Sequence, residues 1–241
     1  MDQGLYVSLS SQIALERRLQ TIAHNVANIG TTGFRAGVVR FQEVLEGVKT
    51  ADTSFVSQGE SFLSPNAGGL TETGGKLDFA IQGDAWFSVQ TPAGQVVTKD
   101  GRFKMLESGD LVSMDGHPVL DPGGAPIQLN PAAGPPQATA SGQLRQNGTT
   151  VGAVGLFSYQ PGADLERYGN SGIVAVTAPE PLVDNSDVGV IQGHLEQSNV
   201  NAVGEMARLI NVHRSFDNVA TSIRETESSL KEAIRVLGAR S

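Results

Sequence analysis

Apolar residues near the start of the chain recur at steps of mainly three and four. The stripe they form is Leu5, Leu9, Ile13, Leu15, Leu19, Ile22 and Val26, with charged and polar side chains between its members. This spacing places the stripe on one face of a helix and predicts an amphipathic helix over residues 4–28. The helix should end near Asn28, because Asn28 and Gly30 can both take left-handed conformations and Gly33 allows a second reversal.

The end of the chain has a more regular apolar pattern. Positions seven apart are Leu209, Phe216, Ile223, Leu230 and Leu237, and Val212, Val219, Thr226 and Ala233 follow three residues after the first four. This a/d seam predicts one long helix over residues 201–237, with Asn199 or Asn201 as its cap and Gly238 at its end. A single helix of an ordinary bundle can also show such a stripe. A helix this long needs a distant partner, either the N-terminal helix or another chain.

The middle of the chain has the pattern of short strands separated by turns. The predicted strands are residues 77–81, 85–89, 95–99, 102–106, 111–114 and 117–120, and strand patterns return at 151–159 and 172–176. Three Asp-Gly or Asn-Gly pairs, at residues 100–101, 115–116 and 147–148, indicate tight hairpins. Residues 121–142 are rich in Pro and Gly and are expected to form an extended excursion.

Charge follows the same division of the chain. Residues 70–195 contain 13 acidic and 6 basic side chains, whereas each end carries a net charge of +1. We therefore expect an α+β protein with long N- and C-terminal helices forming a discontinuous, coiled-coil-like domain and a central, mostly antiparallel β domain. The expected boundaries are residues 1–35 and 199–241 for the helical domain, 36–73 for an extended linker and 74–198 for the β domain.

The composition excludes several classes of function. The net charge of −8 disfavours binding to nucleic acid, and the absence of cysteine excludes disulfides and thiolate metal sites. No apolar run approaches the ~18 residues of a transmembrane segment. The first residues lack the basic and apolar regions of a secretory signal, so we expect any export to use another route.

No constellation of residues indicates catalysis, a cofactor or a metal. The histidines His24, His117, His194 and His213 are scattered, and the aspartates of the middle region mostly accompany turns. Trp86 and Phe87 could form a platform for carbohydrate, but in a sheet with few aromatics they are more typical of a core, together with Phe103. An enzyme would need a nucleophile beside a base, and the sequence shows none.

One segment carries a more specific signal. Residues 25–35 read NVANIGTTGFR and resemble a signature of the bacterial flagellar axial proteins, in which Asn25, Ala27, Asn28, Gly33 and Phe34 match. His24 stands where that family commonly has Asn. Residues 74–120 resemble the family's central signature, and residues 195–210 resemble the signature that precedes its C-terminal helix.

The resemblance implies a structural subunit, and within the family the proximal-rod members are the most similar. Such a subunit has no cofactor and polymerises through its terminal helices, with itself and with other rod subunits, into the shaft that crosses the periplasm and transmits torque. It is exported by the flagellar type III apparatus without a cleaved signal. The distal rod and the hook are the alternatives within the family, and a secreted β-rich carbohydrate-binding protein is the alternative outside it.

Overall fold

The computed structural model describes residues 2–40, 43–48, 51–56, 60–162, 165–183 and 187–238. Side chains are described from Leu9 onward, except those of residues 43–48 and 51–56 and several after residue 225. The first half contains α1 (Asp2–Ala27), β1 (Gly37–Arg40), β2 (Glu43–Val48), β3 (Ala51–Val56), β4 (Glu60–Leu63), β5 (Leu70–Glu72), β6 (Phe79–Gln82), β7 (Phe87–Thr91), β8 (Gly94–Thr98), β9 (Phe103–Met105) and β10 (Leu111–Ser113).

The second half begins with a short 3-10 helix at Pro131–Ala133. It continues with β11 (Gln137–Ala138), β12 (Gln143–Gln146), β13 (Thr149–Ala153), β14 (Phe157–Ser158), β15 (Arg167–Tyr168), β16 (Gly172–Val174), β17 (Glu180–Pro181), β18 (Gly189–Gln192), β19 (His194–Glu196) and α2 (Ala202–Gly238). Helices at the two ends and antiparallel strands between them confirm the α+β class.

The chain divides into two compact units. The helical unit comprises residues 1–27, 37–62 and 201–241, and the β unit comprises residues 28–36 and 63–200. In the helical unit α1 packs against α2 and also contacts β1 and β3. Strand β1 pairs with β4, and β2 pairs with β3. The segment expected as an extended linker therefore contains strands, which the sequence did not indicate because they are short and β1 pairs with a strand distant in sequence.

The β unit is a set of small antiparallel sheets around a main core and a smaller second cluster. The largest sheet has the order β15-β16-β8-β7, and the pairs β18-β6, β19-β5 and β14-β17 bring distant parts of the chain together. Its main core includes Phe79, Phe87, Phe103, Leu111 and Leu144, all buried. A second cluster contains Trp86, Val97 and Ile173. Trp86, Phe87 and Phe103 are thus core residues, as their pattern predicted.

Two of the three predicted hairpins are present, and the third prediction is wrong. Asn147 and Gly148 both have positive φ, 50° and 81°, and connect β12 to β13. Gly116 has φ 87° and turns the chain so that the Ser113 amide donates to the His117 carbonyl. At Asp100-Gly101 the chain makes no hairpin, because β8 pairs with β7 and β16 while β9 pairs with β10.

The helix ends follow the predicted chemistry only in part. Asn201 caps α2, because its Oδ1 accepts the Gly204 amide at 3.0 Å. After α1 the chain turns at Asn28, whose carbonyl accepts the Thr31 amide at 3.1 Å. Neither Asn28 nor Gly30 has a positive φ, so the expected left-handed conformations are wrong there, whereas Gly33 has φ 68°. The segment 121–142 is mostly irregular, with one short helix and one short strand. It does not form the expected excursion, because Ile127 and Leu129 are buried in the main core of the β unit.

Candidate functional site

The predicted seam of α2 lies on the less exposed face of that helix. Val212 is buried, and the other described seam positions, Leu209, Phe216, Val219 and Ile223, are partly buried. Since α2 packs against α1 within the helical unit, this face is covered at least in part by the chain's own N-terminal helix. The side chains of Leu230 and Leu237 lie outside the described residues.

The predicted stripe of α1 is divided between buried and exposed positions. Ile22 is buried, and Leu15, Leu19 and Val26 are partly buried. Leu9 and Ile13, by contrast, are 49% and 45% exposed. The side chain of Leu5 lies outside the described residues.

A second apolar stripe lies on the first turns of α2. Val203, Met206 and Ile210 are spaced by three and four residues and are 80%, 50% and 54% exposed. They lie off the a/d seam, so the heptad spacing does not include them. Both helices therefore present apolar side chains that the described part of the chain leaves accessible, which is typical of a surface that binds another protein.

Asn25 of the signature holds the helical unit together. Its Nδ2 donates to the Gly37 carbonyl at 2.9 Å, and its Oδ1 accepts the Gly37 amide at 2.8 Å. Asn25 is buried, so this pair of hydrogen bonds fastens the end of α1 to the start of β1. Ala27, by contrast, is exposed.

The next signature residues belong to the β unit. Asn28 is buried at the turn, where its Oδ1 accepts the Thr31 hydroxyl at 3.0 Å. Gly33 lies so close to the backbone of residues 99–100 that a Cβ there would be 2.3 Å from the Asp100 nitrogen. Phe34 is 1% exposed, and the Arg167 guanidinium lies 4.7 Å from its ring centroid. We call the part of the β unit that contacts residues 33–36 the motif-docking site.

A buried ion pair lies within the motif-docking site. The Arg35 Nη2 lies 2.8 Å from the Glu196 Oε1, and both side chains are less than one-tenth exposed. Arg35 Nη1 also donates to the Asn66 carbonyl, and Glu196 Oε1 accepts the Gly68 amide at 2.8 Å. The Arg35 Nε has no hydrogen-bond partner among the described residues. Breaking such a pair leaves an uncompensated buried charge, so it favours one arrangement of these segments strongly.

Asn199 links the same segments from the other end of the β unit. Its Oδ1 accepts the Ala36 amide and its Nδ2 donates to the Asn66 carbonyl, each at 2.7 Å. Its own amide donates to the Phe34 carbonyl at 3.3 Å. The residue predicted as a possible helix cap thus fixes the docked motif instead, and Asn201 caps α2.

Lys99 is a second buried cation beside the ion pair. It is 2% exposed, and its Nζ lies 5.0 Å from the Trp86 ring centroid. Burial and, to a smaller extent, the charge of Arg35 lower the pKa of Lys99 from 10.5 to about 8, and the charges of Glu196 and Asp84 oppose this change. Burial also lowers the pKa of Arg167. The docking site therefore brings two further cations to the Arg35–Glu196 pair. The charge of Glu196 acts on Lys99, and the Arg167 Nη2 donates to the Arg35 carbonyl at 2.8 Å.

The sequence indicated only part of this site. Glu196 and Asn199 lie within the signature at residues 195–210 and could have been singled out from it. Lys99 also lies within a signature, at residues 74–120, whereas Asn66 and Arg167 lie outside the signatures. Nothing local to these three residues shows that the fold brings them to residue 35.

Family models match three successive parts of the chain. Residues 5–35 match "Flagella basal body rod protein", residues 80–153 match "Flagellar hook protein FlgE/F/G D1 domain", and residues 191–236 match "Flagellar basal body rod FlgEFG protein C-terminal". The first and third matches contain the two helices and the signature. This order is the one that the sequence motifs implied.

Full-length relatives agree with these matches. The flagellar basal-body rod protein FlgF of Mesorhizobium japonicum is 57% identical over 241 residues, all of both chains. FlgF of Rhizobium meliloti is 52% identical over 238 residues, 99% of each chain. The rod protein FlgG of Agrobacterium fabrum is 28% identical over 268 residues, 97% of this chain and all of its own. The chain therefore belongs to the family of flagellar basal-body rod proteins, and the resemblance to the FlgF members is confirmed.

Proposed function

We propose that this chain is a structural subunit of the proximal part of the flagellar rod and polymerises through its terminal helices into the shaft that transmits torque. Its identity of 57% to FlgF over the full length of both chains carries the proposal. Identity to FlgG relatives is 25–28%, which favours the proximal over the distal rod. A hook position and a secreted carbohydrate-binding protein are supported less.

The exposed apolar stripes of the two helices support assembly as the way in which the chain acts. Burial of apolar area contributes about 25 cal/mol per Å², so stripes of this kind stabilise contacts with other subunits. Contacts between different surfaces of successive subunits produce an open helical filament when the rotation from one subunit to the next does not close a ring. The partners are other rod subunits and further copies of this chain, and no nucleic acid is involved.

The proposal includes export by the flagellar type III apparatus without a cleaved signal, a place in the rod where it crosses the periplasm, and no enzymatic activity. Membership of a family of structural subunits supports each of these points. Among the described residues, neither helix is apolar enough over its length to cross a membrane.

Substitution of the exposed stripe tests assembly separately from folding. Met206→Asp with Ile210→Asp changes side chains that are about half exposed, so the purified chain should keep its melting temperature. In a strain carrying only this variant we expect loss of motility and absence of the subunit from isolated basal bodies. Asn211→Asp, at an exposed polar position of the same helix, is the control. A motile strain with the double variant would refute assembly through this stripe.

The position along the rod is tested by electron microscopy of basal bodies that carry a tagged chain. Density for the tag in the part of the rod nearest the cytoplasmic membrane is the expected result. Density confined to the end that joins the hook would show that the distal alternative is correct.

A further inference from the structure

An apolar groove of about 250 Å³ lies on the β unit beside the end of β16. The residues that give it an accessible apolar surface are Tyr159, Pro161, Leu165, Val174 and Val176. Val176 is 72% exposed, and the others are partly exposed. The volume is below the ~300–1,000 Å³ of small-molecule sites, so the groove suits a few amino-acid side chains.

Tyr159 fixes the shape of the groove before any partner binds. Its hydroxyl donates to the Val174 carbonyl at 3.4 Å and accepts the Val176 amide at 3.2 Å. Between these two contacts, the Ala175 amide donates to the Gln95 carbonyl at 2.9 Å. A partner that enters the groove therefore does not have to order this wall, which lowers the free-energy cost of binding.

The groove has an acidic edge. The Glu166 carbonyl accepts the Val174 amide at 2.9 Å, which places Glu166 opposite Val174, one residue beyond the β15–β16 pairs. Residues directly opposite each other share a face of the sheet, and Glu166 is exposed. The neighbouring Arg167 is engaged at the motif-docking site, where its Nη2 donates to the Arg35 carbonyl. An apolar partner for the groove should therefore bring a positive charge to Glu166.

The exposed stripe at the start of α2 has both properties. Val203, Met206 and Ile210 follow one side of the helix and are 80%, 50% and 54% exposed. Arg214 follows Ile210 by four residues, so it extends the same side of the helix, and it is exposed. The end of the chain that contains this stripe carries a net charge of +1, whereas residues 70–195 contain 13 acidic and 6 basic side chains. The stripe thus complements the groove in polarity and in charge.

Other exposed apolar residues match the groove less well. In the β unit, Leu106 is followed by Glu107 and Met114 by Asp115. These carboxylates would meet the acidic edge of the groove with like charge. Among the described side chains, the stripe of α1 exposes fewer large apolar residues than that of α2. The α2 stripe is therefore the surface of this chain that the groove fits best.

We propose that the groove receives the stripe Val203, Met206 and Ile210 of a second copy of this chain, with Arg214 of that copy beside Glu166. This contact rests on the proposed function and names the surface on which the stripe binds. Because the stripe and the groove are different surfaces, one copy uses both at once. Repetition of the contact produces an open helical array when the rotation between copies does not close a ring.

Cross-linking between two copies tests the contact, since the chain has no cysteine of its own. One strain produces Met206→Cys and Val176→Cys chains from two gene copies, and both positions are exposed. A short bismaleimide should join the two chains in isolated basal bodies, and mass spectrometry should identify the linked pair of peptides. Val151→Cys, an exposed valine of the β unit outside the groove, replaces Val176→Cys in the control and should give no product with Met206→Cys.

Exchange of the charges tests the predicted ion pair. Glu166→Lys in the Val176→Cys chain should lower the cross-linked fraction about fivefold, because like charges then meet. Arg214→Glu in the Met206→Cys chain should restore the fraction when both changes are present. Both residues are exposed, so the melting temperatures should not change. Glu107→Lys, at another exposed acid of the β unit, is the matched control and should leave the cross-linked fraction as it was.

Three outcomes would overturn the contact. The first is that residue 206 in assembled rods becomes linked to other rod subunits and not to residue 176. The second is that a chain with both cysteines links residues 206 and 176 within itself, which would assign the groove to the chain's own helix. The third is a cross-linked fraction that does not respond to Glu166→Lys.

The same preparations separate this contact from the proposed function. If the wild-type chain is absent from isolated basal bodies, the proposed function is refuted and the contact with it. If the chain is present in the rod and the 206–176 product does not form, the contact alone is overturned.

Discussion

At the scale of single residues, Gly33 shows how a signature position is fixed by backbone geometry. It combines φ 68° with a distance of 2.3 Å between an added Cβ and the Asp100 nitrogen. Both features exclude a side chain, the first through left-handed strain and the second through overlap with the backbone. Gly30, three residues earlier in the same signature, has nothing within 4 Å of an added Cβ and no positive φ.

We therefore expect Gly33→Ala to destabilise the β unit by about 2–4 kcal/mol, the combined cost of strain and overlap. Gly30→Ala should change the unfolding free energy by less than about 1 kcal/mol. Urea unfolding followed by Trp86 fluorescence measures both, because Trp86 is the one tryptophan and is buried in the β unit. Equal effects of the two substitutions would show that close packing at Gly33 is not what requires glycine.

The lowered pKa of Lys99 predicts how the stability of the β unit depends on pH. Burial lowers the pKa of Lys99 from 10.5 to about 8, so between those values the unfolded chain holds a proton that the folded chain has released. The Lys99 contribution to stability should therefore rise with pH across the window from about 8 to 10.5, by up to about 3 kcal/mol, and its penalty is complete below pH 8.

Lys99→Met removes the charge but keeps an apolar side chain of similar length. The unfolding free energy of the wild-type chain relative to this variant should increase between pH 7 and pH 10, measured by urea unfolding at several pH values. Lys104→Met, at a partly exposed position, is the control and should not produce that change. Parallel curves for wild type and Lys99→Met would contradict the lowered pKa of Lys99 in the folded chain.

At the scale of elements, the helices were the most predictable part of the fold. The heptad pattern placed α2 over 201–237, and the structure has it at Ala202–Gly238. That pattern is local, since every seam residue lies within two turns of the next. The hairpin at residues 147–148 was predictable for the same reason. The Asp100-Gly101 pair was misleading because Gly101 instead lies against Phe79, where a Cβ would be 1.7 Å from the carbonyl oxygen.

The seam of α2 predicts which side chains hold α2 against α1. Phe216 lies on the partly buried face of α2, whereas its neighbour Asp217 is exposed. Phe216→Asp should weaken the packing of α2 on α1 by about 2–3 kcal/mol, because a carboxylate replaces an apolar side chain at a partly buried position. The melting transition of the β unit, reported by Trp86, should stay unchanged.

Far-ultraviolet circular dichroism and limited proteolysis of the purified variant measure this effect. We expect less helical signal and faster cleavage within α1 and α2 for Phe216→Asp, and no change for Asp217→Ser. If Phe216→Asp left the helices as resistant as in the wild-type chain, the predicted seam would not be the contact between them.

At the scale of the whole molecule, the motif-docking site explains what the sequence could not predict. Arg35, Asn66, Lys99, Arg167 and Glu196 come from five separate segments, and only the paired strands of the β unit bring them together. No local period or turn signal encodes such a convergence. The signature at residues 25–35 was interpreted as the end of a helix, but the structure divides it, with residues 25–27 in the helical unit and residues 28–36 in the β unit.

This division predicts which fragment of the chain contains the whole β unit and folds by itself. A fragment of residues 28–200 keeps Phe34, the Arg35–Glu196 pair and Asn199. A fragment of residues 49–198 lacks Phe34, Arg35 and Asn199. In this shorter fragment Glu196 and Lys99 remain, but Arg35 is absent from beside them. Loss of one partner of a buried ion pair alone costs about 3–5 kcal/mol. The longer fragment should therefore melt cooperatively, and the shorter one should melt at a much lower temperature or show no transition.

Circular dichroism and Trp86 fluorescence of the two fragments against temperature make the comparison. Glu196→Gln in the longer fragment is the control that isolates the ion pair. Its melting temperature should lie between those of the two fragments, because it leaves Phe34 and Asn199 in place. Equal melting temperatures for residues 28–200 and 49–198 would mean that the signature contributes nothing to the β unit. In that case Gly33→Ala should also leave the unfolding of the β unit unchanged.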